Sequence, residues 1–208
     1  MRTILLLLSV SAAALAQTWE IGGAGVYSAY RNLTVTNGSA SATAGFQPDA
    51  GFSLAFGEQL YGRVSGELRY SLLLNNLKVS NSSQEVTRDG HSHALHYDLL
   101  VFLTSKESAI RPFVAGGAGI KIFSGTGVET AAQPLNQFVA LTHTYQTRPM
   151  ISAGGGMKFR LSQHLVFRAD FRDYISPIPR QVITPGPGTR MKGLLHDFIG
   201  MGGISYVF

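Results

Sequence analysis

Eight segments of this chain alternate apolar and polar residues with a period of two, and the connections between them alternate just as regularly between short and long. The segments fall near 19–28, 46–56, 62–73, 92–104, 111–123, 147–160, 164–175 and 195–208. Connections 57–61, 105–110 and 161–163 are short, whereas 29–45, 74–91, 124–146 and 176–194 are long and rich in Asn, Ser, Thr, Gly and Pro. A period of two is the repeat of a strand, whose side chains point alternately to two faces, and no 3.6-residue stripe competes with it. Strict alternation of turn length gathers the tight turns at one end of a meander and the long loops at the other. Soluble sandwiches also have many short strands, but rarely this asymmetry.

Segment 62–73 sets Val64, Gly66, Leu68, Tyr70 and Leu72 against Arg63, Ser65, Glu67, Arg69 and Ser71, and 164–175 sets Phe167, Ala169 and Phe171 against Arg168, Asp170 and Arg172. Alternation alone does not say which face is inside. An apolar interior would crowd Leu68, Tyr70, Tyr97, Phe167 and Phe171 into an eight-stranded cylinder, which has room for little more than side chains. Aromatic residues instead cluster near segment ends, among them Trp19, Tyr27, Phe56, Tyr61, Phe159 and Tyr206, as in the girdles of a membrane barrel. Small residues such as Ser152, Gly154 and Gly156 share the charged face with Lys158, leaving space beside long side chains. A Lys or Arg turned to lipid at mid-bilayer would cost about 2–4 kcal/mol. These features predict apolar residues outward and charges inward. The inward acids are Glu20, Glu67, Asp98, Asp170 and Asp197; the inward bases are Arg69, Lys121, Lys158, Arg168 and Arg172, with Arg63 and Arg160 at a water-reached rim. Five against five predicts a nearly neutral, ion-paired lumen, because unpaired charges there would be prohibitive. Asp173 falls on the apolar face by parity, at the loop end of its segment.

Residues 1–16 read as a secretory signal peptide: Arg2, an apolar stretch over 4–10, and Ala14-Leu15-Ala16 before Gln17. The uncharged stretch 3–17 is short for a helical span. Export followed by one barrel domain over 17–208, as a monomer, is the expected organisation. The absence of cysteine removes disulfides, cysteine-ligated zinc and thiol nucleophiles. A net charge of +5 comes with no basic cluster, so no nucleic-acid partner is expected.

The runs Trp19-Glu20-Ile21-Gly22-Gly23, Arg111-Pro112-Phe113-Val114-Ala115-Gly116-Gly117-Ala118-Gly119 and Tyr206-Val207-Phe208 carry a family likeness. On them the chain resembles the small eight-stranded outer-membrane barrels of the OmpA/OmpX type, across essentially all of 17–208. The resemblance implies an all-β, antiparallel, up-and-down transmembrane β-barrel in a bacterial outer membrane. Ile204, Tyr206 and Phe208 share one face and resemble the terminal strand that the outer-membrane assembly machinery captures by strand addition. No wall-binding domain is expected after Phe208.

Few motifs carry chemistry. Gly116-Gly117-Ala118-Gly119-Ile120-Lys121 lacks phosphate-loop spacing and a helix to open, so glycine here reads as room for curvature. His91-Ser92-His93, with His96 on the other face, would need its loop to curl before three ligands met a metal, so neither metal nor cofactor is expected. A lipid A-modifying hydrolase using His91, His93 or His143 is one alternative, although Ser92 falls opposite its neighbouring histidines in an extended strand. A narrow, low-conductance channel is another. The long connections hold Arg31, Lys78, Arg88, Arg180, Arg190 and Lys192 against Glu85, Asp89 and Glu129, an excess of cations suited to lipopolysaccharide phosphates. The reading that results is a non-enzymatic barrel with a filled lumen, whose partners are outer-membrane lipid, lipopolysaccharide and the assembly machinery.

Overall fold

The computed structural model describes residues 18–128 and 133–208; the leader 1–16 and Glu129 lie outside the described residues. The strands are β1 (Trp19–Arg31), β2 (Leu33–Asn37), β3 (Ala40–Phe46), β4 (Asp49–Tyr61), β5 (Val64–Leu73), β6 (Leu77–Ser80), β7 (Glu85–Arg88), β8 (Gly90–Phe102), β9 (Ile110–Gly125), β10 (Val139–Leu141), β11 (Tyr145–Arg160), β12 (Leu165–Pro177), β13 (Ile183–Pro185), β14 (Arg190–Met191) and β15 (Leu194–Val207). Eight of them close a barrel in the order β1-β15-β12-β11-β9-β8-β5-β4. Every neighbouring pair is antiparallel, and β15 closes on β1 with Gly25 opposite Gly202. Closure leaves no edge strand exposed. Barrel strands of 10 to 16 residues exceed the ~9–11 a tilted strand needs to cross hydrocarbon, so their ends stand in water.

One tight turn falls later than the sequence suggests. β4 continues through Tyr61 across a register shift at Gln59/Tyr61, and the chain reverses at Gly62-Arg63 instead of within 57–61. Gly62 takes the left-handed conformation (φ 52°), and the Gln59 amide donates to the Gly62 and Val64 carbonyls, both at 3.0 Å. The glycine decides the turn because a residue with Cβ is disfavoured there.

The larger difference lies at the opposite end, where the four long connections contain strands of their own. β14-β2-β3-β6-β7 form a five-stranded sheet and β10 pairs with β13. Val35, Phe46, Leu77, Val79, Val139 and Ile183 are buried with Tyr30, Phe123 and Leu195 from the barrel rim, forming an apolar core across the long-loop mouth. Tyr30, Phe46 and Phe123 pack in series, Tyr30 tilted on Phe46 and Phe46 stacked on Phe123, with centroids 4.7 and 5.3 Å apart.

Outside, every barrel strand offers a large apolar side chain to its surroundings: Ile21, Leu54, Leu68, Leu99, Val114, Ile151, Phe171 and Ile204 are each 47–58% exposed. Inside, Glu67, Arg69, Asp98, Lys121, Arg172 and Asp197 are 0–2% exposed. A water-soluble chain rarely exposes so continuous an apolar band. The interior is nevertheless not uniformly polar. Two apolar layers cross it, one of Leu100, Phe102, Phe113 and Ala115 toward the short turns, and one of Val26, Leu73, Met150, Tyr174, Ile199 and Met201 toward the loops.

Candidate functional site

Strand register decides which lumen charges meet. β5 sets Glu67 opposite Asp98 of β8 and Arg69 opposite His96, while β12 contributes Arg168, Asp170 and Arg172 from the far wall. Glu67 lies 2.5 Å from Arg69 on its own strand and, across the lumen, 2.6 Å from Arg168. Asp170 binds Arg168 at 2.6 Å and Arg69 at 3.0 Å. Arg172 lies 2.5 Å from Asp98, with Asp170 and Glu67 at 3.6 and 3.8 Å. Lys158 reaches Glu20 at 2.6 Å, at the half-buried end near the short turns. Near the loops, Lys121 donates to Asp197, which also accepts from Ser28. The Lys121 ammonium sits beneath the ring of Tyr30, 4.7 Å from its centroid, so this ion pair adjoins the apolar cap. Charge-assisted bonds of this kind are the stronger class of protein hydrogen bond.

Room for these side chains comes from glycine on the facing strands. Gly117 of β9 stands opposite Asp98, and a Cβ there would collide with the Tyr97 carbonyl and the Asp98 carboxylate. Gly154 of β11 does the same for Arg172.

Two lumen features escaped the sequence reading. His96 bridges Asp98, at 3.0 Å, and the Tyr174 hydroxyl, at 2.8 Å, a relay spanning β8 and β12. Arg111 also faces inward, opposite Lys158. It shares parity with Phe113 and Lys121 along β9, the signal that could have found it. Arg63 does not enter the lumen: it sits in the β4–β5 turn, exposed, donating to the Leu103 carbonyl at 3.2 Å.

Of the six loop cations, Lys78 pairs with Glu85 at 2.7 Å. Arg88 donates to the Val128 carbonyl at 2.9 Å and Arg180 to the Met191 carbonyl at 3.0 Å. Arg31, Arg190 and Lys192 are exposed. Topology brings these three to one side, because Arg31 ends β1 opposite His196 of β15, and Arg190 on β14 lies opposite Thr36 of β2. His196 there binds Asp173 at 2.7 Å on the barrel's outer face, which gives the acid that parity placed outward a partner.

The histidines weighed for hydrolysis do not converge on a serine. His91 and His93 face outward, and His93 Nδ1 lies 2.7 Å from the Tyr70 hydroxyl. Ser92 points into the lumen, buried, 3.4 Å from the Tyr30 hydroxyl. His143 is exposed in the connection between β10 and β11. Among the described residues no group of three or more His, Asp or Glu side chains is arranged to hold a metal ion.

At the other end, Ile204, Tyr206 and Phe208 point outward, 57%, 51% and 58% exposed. The main chains of Trp19 and Phe208 exchange two hydrogen bonds, both at 3.0 Å, which seals β1 to β15 beyond the ladder.

An all-antiparallel eight-stranded barrel with apolar residues outside, charged residues inside, short turns at one mouth and long loops at the other has the fold of the small outer-membrane β-barrels. No family model matches the chain, and no curated protein matches it in sequence. Solved structures do match. OprG, an outer membrane protein of Pseudomonas aeruginosa, superposes with a TM-score of 0.57 at 15% identity, covering 92% of this chain and 95% of its own. Neisserial surface protein A gives 0.56 at 8% identity, covering 90% and 96%. The outer membrane protein AlkL, determined in DMPC lipid bilayers, gives 0.56 at 14% identity, covering 92% and 90%. At these identities the likeness is one of fold.

Proposed function

We propose that this protein is a non-enzymatic integral protein of the bacterial outer membrane, exported by its leader and assembled as a single chain. In this reading the lumen is a filled strut and not a pore, and the loop end is the working surface, meeting lipopolysaccharide phosphates through Arg31, Arg190 and Lys192. The observation that carries it is the inverted wall: apolar side chains outside every strand, and ion pairs and apolar layers in the middle. The exposed cations at one side of the β1–β15 seam support the choice of an anionic headgroup. The terminal Ile204, Tyr206 and Phe208 serve assembly.

The test is a triple substitution, Arg31→Gln, Arg190→Gln and Lys192→Gln, read by lipopolysaccharide binding to the detergent-purified protein. A basic side chain near an anionic membrane surface is worth about 1 kcal/mol. Removing three therefore weakens binding by about 3 kcal/mol, roughly a hundredfold. Unchanged affinity in a variant that still shifts on an unboiled gel would remove lipopolysaccharide from the reading and leave the barrel intact.

A further inference from the structure

The short-turn mouth has chemistry that neither the lumen network nor the loop surface uses. A cavity of about 580 Å³ opens there, lined by side chains that include Glu20, Glu67, Phe102, Arg111, Lys158 and Arg160. Its acids are engaged except at Glu20 Oε1, which is buried without a hydrogen-bond partner among the described residues. Glu67 is held by Arg69 and Arg168, Glu20 by Lys158 at 2.6 Å, and Glu58 accepts from the Tyr97 hydroxyl at 3.2 Å. Its cations are in excess. Register places Arg111, Lys158 and Arg168 abreast on β9, β11 and β12. Arg160 adds a fourth guanidinium or ammonium group, steadied by the Lys106 and Glu107 carbonyls of the β8–β9 turn. Lys106 itself lines the cavity. The remaining acid at this mouth, Glu107, is exposed on the turn, its carboxyl held below the ordinary range by its own backbone amide and then by Ser105.

Arg111 is a cation that these contacts leave without a salt bridge among the described residues. Its guanidinium lies over the Phe102 ring, 3.8 Å from the centroid. Its Nε and Nη2 are buried and have no hydrogen-bond partner among the described residues. Those two nitrogens form one edge of the guanidinium, the edge that grips an oxyanion with two parallel hydrogen bonds. The same edge is in use twice within this lumen. Arg69 directs Nε and Nη2 at Glu67, at 3.0 and 2.5 Å, and Arg168 directs them at Asp170, at 3.3 and 2.6 Å. A buried cationic edge without an acceptor is unfavourable. Arg111 lines the cavity, and gripping a ligand there with that buried edge requires its outer torsions to turn.

We propose that the short-turn mouth is a binding site for a phosphate-class oxyanion, gripped by the Nε–Nη2 edge of Arg111, with Arg160 as the second cation. Two guanidinium groups without a salt bridge among the described residues favour a dianion over a carboxylate, since a phosphomonoester carries close to two charges at neutral pH. In a membrane barrel the short turns face the periplasm, so the ligand is a free phosphate or a small phosphorylated solute of that compartment. The site is at the opposite end from the loop surface and stands or falls separately from it.

The experiment is calorimetric titration of the detergent-folded protein with inorganic phosphate, repeated with acetate and with glycerol phosphate, on wild type, Arg111→Gln, Arg111→Lys, Arg160→Gln and the triple loop variant. Wild type should bind phosphate saturably with a Kd of about 1 mM or tighter. Arg111→Gln should weaken it at least about tenfold, Arg111→Lys should recover part of that, and Arg160→Gln should weaken it less. The triple loop variant should bind as wild type does. Glycerol phosphate binding alongside inorganic phosphate identifies a phosphorylated solute as an occupant; inorganic phosphate alone identifies the free ion. No saturable phosphate binding, equal affinity for acetate, or an Arg111→Gln protein that folds and binds unchanged would each overturn the proposal. Should Arg111→Gln fail to fold, Arg111→Lys and Arg160→Gln carry the same decision.

Discussion

Removing the carboxylate of Asp197 isolates the energetics of one buried ion pair. Lys121 of β9 is 0% exposed, and Asp197 of β15 is the acid paired with it. Asp197→Ala leaves the ammonium among the rings of Tyr30, Phe123 and Tyr174, and frees the Ser28 hydroxyl as well. Breaking a buried pair from one side costs about 3–5 kcal/mol, and an orphaned hydroxyl adds about 1 kcal/mol. The second step is Lys121→Met in the same background. It removes the stranded charge and substitutes an apolar chain of similar reach beneath aromatic rings, so most of the loss should return, since apolar replacement of a buried pair is often neutral or stabilising. The assay is urea unfolding of the barrel in lipid vesicles, followed by gel mobility. With a slope of about 1–3 kcal/mol/M, the single variant should lower the midpoint by about 1–6 M and the double variant should lie near wild type. A single variant within error of wild type, or a double variant less stable than the single, would refute the premise that this charge is held in a dry environment.

Two further outcomes bear on the wall and its closure. Phe171→Arg places a charge on the outer face of β12, where Phe171 is 58% exposed and stacks on Phe198, and should lower bilayer stability by about 2–4 kcal/mol while leaving detergent solubility unaffected; no change in urea midpoint would place that face away from lipid. Phe208→Ala should reduce the fraction of chain recovered as a folded, heat-modifiable species in outer-membrane fractions, with the Trp19–Phe208 main-chain bonds retained in whatever does fold; full recovery would dissociate the terminal aromatic from assembly.

The barrel was legible because its signal is long. Apolar and polar residues alternate over 64–72 in β5 and 167–172 in β12, a repeat of two that a helix does not produce. The cap was not legible for the converse reason. β2, β6, β10 and β13 are three to five residues each, too short for a period to stand out among Ser, Thr, Gly and Pro. Val35, Val79 and Leu141 consequently look like isolated apolar residues in loops until tertiary contacts gather them. Parity assigns a face to Glu67, Asp98 or Arg172, but which acid meets which base depends on register across non-consecutive strands, which a linear pattern does not contain. Arg111 lay within reach of the same parity rule, two residues before Phe113 on its own strand.

The aromatic stack and short strands that cover the loop end change what kind of surface the protein presents outward. Reversals such as Gly38-Ser39 and the Asn81–Gln84 hairpin, where Asn81 Oδ1 accepts from the Ser83 and Gln84 amides at 2.9 and 2.8 Å, stand on a solid crown and not on loose tethers. Whatever docks on that crown meets a shape already set, so its affinity is spared most of the entropy of ordering a loop.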